Sequence, residues 1–145
     1  MNGGDRAKSA RSRLRHVQRR FAAPITRRRD YVVVAPVGEL DIATTPALRG
    51  RLGLAIGSGG TPAVDLRAVT FMDTSGLRLL AWADGESLTC GRRLQLIAGD
   101  CPLPVLEVCE AGPRFSWMSP EQLGPARSSP RDSAGAASAR RRRPR

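Results

Sequence analysis

The chain of 145 residues contains one histidine, one lysine and three cysteines, and each shortage removes a class of chemistry. His16 sits in a polar, basic stretch, so the serines of the apolar middle have no imidazole base and catalysis by an activated hydroxyl is disfavoured. Cys90, Cys101 and Cys109 are odd in number and form no C-x-x-C pair. They indicate neither a disulfide framework nor a zinc site, so no metal and no cofactor is expected, and a reducing, cytoplasmic setting fits best. No run approaches the roughly 18 apolar residues of a membrane-spanning helix, and the basic N-terminus has no apolar segment behind it, so neither secretion nor membrane insertion is expected. The glycine-rich Gly57-Ser58-Gly59-Gly60 lacks the lysine, and the preceding strand, of a phosphate-binding loop, and reads as a helix stop. The chain is therefore not expected to be an enzyme.

Arginine is what the chain has in excess. There are 24 basic residues against 13 acidic ones, a net charge of +11, and Lys8 is the only lysine. The charge is uneven: residues 1–29 carry ten basic groups and one acid, residues 30–118 seven and ten, and residues 119–145 seven and two. The foldable middle is mildly acidic, and the basicity belongs to the ends. Residues 1–24 and 119–145, the latter with the run Arg140-Arg141-Arg142-Arg143, have too few large apolar side chains to offset the entropy of ordering. They are expected to be disordered tails around one domain at 25–118. Contact of the tails with nucleic acid would be weak and salt-dependent, since Tyr31, Phe71, Trp82, Phe115 and Trp117 lie outside the arginine runs.

The middle alternates strand and helix signals. Tyr31-Val32-Val33-Val34 opens a β-branched run to Gly38, with the composition of a strand buried on both faces, and Pro36 marks an irregular end. Thr44-Thr45-Pro46 is a helix start, Leu48, Leu52, Ala55 and Ile56 follow at helical spacing, and Gly57 begins the stop. Ala63-Val64-Asp65-Leu66 begins a second strand, Phe71 to Gly76 reads as a turn, and Leu77, Leu80, Ala81, Asp84 and Leu88 mark a second helix ending at Cys90-Gly91. Leu94 and Leu96 lie on a third strand, and Val105, Leu106 and Cys109 on a short third helix. Residues 23–28 offer a further edge strand. This alternation implies an α/β fold with a largely parallel sheet packed with helices.

Two turns on one edge of that sheet could carry function. In Asp73-Thr74-Ser75-Gly76-Leu77 hydroxyls stand at a helix start, where free amides and the helix dipole favour a phosphate. The plainer reading is that Thr74 and Ser75 cap the helix. Gly38-Glu39-Leu40-Asp41 follows the first strand, where partners of open α/β sheets tend to bind, or Asp41 simply serves the next helix.

Together, Val34-Ala35-Pro36-Val37-Gly38-Glu39-Leu40-Asp41, Ala63-Val64-Asp65-Leu66, Phe71-Met72-Asp73-Thr74-Ser75-Gly76-Leu77 and Gly91-Arg92-Arg93-Leu94-Gln95-Leu96 resemble the STAS domain of anti-sigma factor antagonists over residues 30–115. The resemblance implies a mixed β-sheet packed with helices and a partner that is a histidine-kinase-like anti-sigma factor. Binding it frees a sigma factor for transcription. In that family the partner is also a serine/threonine kinase that phosphorylates the antagonist and ends the complex, and a phosphatase resets it. Carried over by position, Ser75 is the phosphoacceptor, and Asp41, Asp73, Thr74, Gly76 and Leu77 surround it as partner-binding residues. Where the family continues into another strand and helix, Phe115-Ser116-Trp117-Met118 runs into Ser119-Pro120, so the final strand and helix are expected to be missing. A STAS subunit of a stressosome or lipid-transport assembly, and a nucleic-acid-contacting adaptor, are the alternative readings.

Overall fold

Val32, Val33 and Val34 are all buried, and they alternate between two cores on opposite faces of one sheet. The computed structural model describes residues 21–100 and 103–126. Its elements run β1 (Ile25–Arg28), β2 (Tyr31–Val34), β3 (Gly38–Leu40), α1 (Thr45–Gly57), β4 (Thr61–Asp65), β5 (Val69–Met72), α2 (Thr74–Thr89), β6 (Gln95–Ile97), α3 (Pro104–Val108) and β7 (Ser116–Met118). A five-stranded sheet has the order β1-β2-β4-β6-β7, antiparallel at β1 and parallel elsewhere, and β3 and β5 form a separate parallel pair. This is a mixed α/β fold.

On one face Leu48, Leu52 and Ala55 of α1, and Leu79, Leu80 and Ala83 of α2, pack against Val32, Val34, Val64 and Leu96. The α1 stripe is the one its spacing predicts. Full burial of a leucine side chain contributes about 1.5–3 kcal/mol, so this layer supplies much of the driving force. On the other face Val33, Ala63 and Ile97 cluster with Met118 and Leu123.

Four expectations are corrected. Residues 71 and 72 belong to a strand, because the chain breaks at Leu66–Ala68, where Val69 N–H bonds back to Leu66 C=O, and restarts beside β3. The buried stripe of α2 is Gly76, Leu79, Leu80, Ala83 and Ser87, whereas Leu88 is exposed. Ser87 escapes an apolarity search because its hydroxyl satisfies itself on Ala83 C=O at 2.6 Å. The final strand is present: β7 pairs with β6 in parallel, and a 3₁₀ turn at Pro120–Leu123 follows it, with no further helix among the described residues. The folded body also reaches past 25–118. Ala22 and Pro24 accept hydrogen bonds from Val37 N–H and Ala35 N–H, Ala23 is buried, and at the other end so is Leu123. The rest of both expected tails lies outside the described residues.

Candidate functional site

Pairing of β3 with β5 puts Leu40 opposite Met72, so the residues that follow, Asp41 and Asp73, leave the two strands side by side. Asp73 N–H donates to Leu40 C=O at 3.0 Å and fastens the two turns together. Both sequence segments singled out thus meet in one place.

Each aspartate organises its own turn. Asp41 Oδ1 accepts from Ala43 N–H at 2.9 Å and Thr44 N–H at 3.0 Å, and Thr44 Oγ1 accepts from Asp41 N–H at 3.0 Å and donates to Glu39 C=O at 2.8 Å. Thr44 is only 2% exposed, and its hydroxyl closes the β3–α1 turn instead of capping α1 amides. The spacing Asp41-x-x-Thr44 is the signal that identifies this turn, a short polar side chain bonding backbone two and three residues on. Asp73 is the N-cap of α2, its Oδ1 accepting from Ser75 N–H at 2.7 Å and Gly76 N–H at 3.2 Å. Neither Thr74 nor Ser75 performs that task. The expectation of free amides awaiting a phosphate is therefore corrected: a carboxylate already holds the donors of Ser75 and Gly76.

With Asp73 capping the helix, both hydroxyls are released from structural duty. Thr74 is exposed and Ser75 half-buried. Gly76 is buried for a steric reason: a Cβ there would lie 2.7 Å from Met72 Cγ, 3.0 Å from Leu40 Cβ and 3.1 Å from Leu40 O. The first turn of α2 sits against β3 only because that atom is missing. Leu77 is half-buried and packs on the core, so its side chain is shared between packing and surface. Ile42, 78% exposed, and Phe71, 50% exposed, add apolar area next to the two turns.

Ser75 opens into a cleft of about 370 Å³ lined also by Thr45, Pro46, Arg49, Arg78 and Leu79. The two arginines are site residues that motif reading passed over, although Arg78, three residues beyond Ser75 on a helix, has the spacing of a same-face neighbour. Among the described residues no three His, Cys, Asp or Glu side chains gather to hold a metal, and no helix is long and apolar enough to cross a membrane.

The sequence profile of the STAS domain matches residues 22–98. Among solved structures, the anti-sigma factor antagonist SpoIIAA in its unphosphorylated form is similar at 25% identity, with a TM-score of 0.56 over 70% of this chain and 90% of that one. An anti-sigma factor antagonist from Mycobacterium paratuberculosis shares the fold at 23% identity, with a TM-score of 0.60 over 80% and 92% of the two chains. SpoIIAA of Bacillus in its phosphorylated form shares it at 23% identity, with a TM-score of 0.50 over 79% and 96%. No curated protein matches.

Proposed function

The chain belongs to the STAS domain family, and from that premise we propose that it is an anti-sigma factor antagonist, a non-enzymatic binding switch worked through Ser75. The observation that carries this reading is the junction of β3 with β5, which sets Asp41 and Asp73 together and leaves the Ser75 hydroxyl free on the first turn of α2. The likeness to SpoIIAA, an antagonist whose solved form is specified as unphosphorylated, supports it. In the active state Ser75, Thr74, Asp41 and the surface side of Leu77, with Ile42 and Phe71 beside them, form a docking face for a histidine-kinase-like anti-sigma factor; Asp73 and Gly76 hold that face in shape. Engagement of the anti-sigma factor frees a sigma factor for transcription in the cytoplasm. The partner, acting as a serine/threonine kinase, moves a phosphoryl group onto Ser75 Oγ, which adds roughly −1.5 to −2 charge within an interface that already contains two carboxylates. Repulsion and desolvation then weaken the complex, a coupling typically of ~1–3 kcal/mol. A phosphatase restores the hydroxyl.

The test uses the full chain as bait in lysate of its own host, wild type beside Ser75→Asp and Ser75→Ala. The expected result is a histidine-kinase-like ATPase retained by wild type and Ser75→Ala but lost by Ser75→Asp, with ATP placing one phosphoryl group on Ser75 by mass spectrometry. Equal retention by all three proteins, or phosphorylation elsewhere, overturns the switch. Recovery of transporter or stressosome subunits, or only of partners lost at high salt with nucleic acid, moves the chain to another class.

A further inference from the structure

Ser75 shares its cleft with two guanidinium groups and no carboxylate. Arg49 comes from α1 and Arg78 from α2; both are exposed, and neither is in an ion pair among the described residues. Arg49 instead lies over the Trp82 ring, 4.0 Å from its centroid. Such a contact at an exposed position is weak, so it holds the side chain loosely.

The start of α2 cannot serve a phosphoryl group on Ser75 in the usual way. The amides of Ser75 and Gly76 are bound to Asp73 Oδ1, and the Asp73 carboxylate repels an incoming dianion. The positive charge available to it is on the flank. Arg78 stands three residues further along the same helix, Arg49 reaches in from the facing helix, and the planar guanidinium matches phosphate oxygens with paired donors. An ion pair with a dianion is stronger than a contact with a ring quadrupole, so the balance for Arg49 tips when the phosphoryl group arrives.

We propose that the Arg49–Arg78 cleft is a phosphoserine-binding site that clamps modified Ser75 in cis and draws Arg49 away from Trp82. The proposal rests on the reading of Ser75 as a phosphoacceptor. It adds a second component to the switch: the modified state is held by an internal bridge between α1 and α2, and two cations leave the exposed surface together with the hydroxyl.

The experiment installs phosphoserine at position 75 by codon suppression, so that no kinase is needed, in a Trp117→Phe background where Trp82 is the sole tryptophan. The second phosphate ionisation, followed by ³¹P NMR, is expected about 0.5–1 unit below its ordinary value near 6, and to return there in Arg49→Gln/Arg78→Gln. Trp82 emission is expected to differ between serine and phosphoserine proteins, and not to differ once Arg49 is glutamine. Arg49→Lys, which keeps the charge without the fork, is expected to fall between, and thermal melting of each variant identifies any that fails to fold. Identical ³¹P titrations with and without the arginines, with unchanged Trp82 emission, overturn the clamp. Because the phosphoserine is installed directly, such a failure leaves the docking function standing, whereas absence of any kinase for Ser75 in the host overturns the switch and leaves the titration unaffected.

Discussion

Asp73 shows how one side chain separates structure from function at this surface. By taking the Ser75 and Gly76 amides it relieves the neighbouring hydroxyls of capping, which leaves Ser75 available to a partner. Asp73→Ala should cost about 1 kcal/mol, the usual loss for a capping residue, visible as a lower urea midpoint. Asp65 illustrates a different balance. Partial burial pushes its carboxyl up, but hydrogen bonds from the Arg67 side chain and backbone, with the charges of Arg67 and Arg28, outweigh that and hold it below its ordinary value. A carboxyl depressed in the folded state contributes stability in full above its unfolded value of about 3.8, and loses that contribution as pH falls through the lower folded value. Arg67 is half exposed, so the contribution is below about 1 kcal/mol. The gap in urea midpoint between wild type and Asp65→Asn should accordingly be present at pH 7 and narrow toward pH 3.

At the element scale the close approach of α2 to β3 depends on Gly76. Gly76→Ala places a methyl group inside the radius of Met72 and the Leu40 backbone, so the helix start must move. Overpacking of this kind typically costs 1–3 kcal/mol, and a lower melting temperature together with weaker partner binding is the expected outcome. The same region shows what was legible beforehand. The apolar repeat of α1 and an edge strand within residues 23–28, observed at Ile25–Arg28, follow from local spacing, and the placement of the Asp41 and Asp73 segments on one edge follows from the rule that partners meet the carboxyl ends of parallel strands. The β3–β5 pair was hidden because it depends on Gly38 pairing with Val69 across 31 residues, with a register shift after the first pair, which no local pattern records. Strand β7 was hidden for a related reason. Three residues carry no periodicity, and Ser116–Met118 becomes a strand only because β6 offers an open edge. Arg49 escaped notice in the same way, since its position near Ser75 is a product of helix packing.

At the scale of the whole molecule the folded body begins earlier than composition suggests. Compared with removal of residues 1–20 alone, removing 1–24 deletes buried Ala23 and two backbone hydrogen bonds and should lower the melting temperature by several degrees in calorimetry. The bridge of Ala22 with Val37 also determines where the N-terminal segment joins the body: beside the residue that precedes β3, whose far end leads to Asp41. Four residues of extended chain span about 13 Å, longer than the screening length of about 8–10 Å at moderate salt, so charge there is felt at the turns mainly at low salt. Residues 1–20 hold seven basic groups and one acid, and the chain continues from them into this bridge. If that charge draws the proposed partner in, its association rate should drop with added salt and with deletion of residues 1–20 while its dissociation rate stays constant, and equal association rates with and without those residues would show that the turns alone govern encounter.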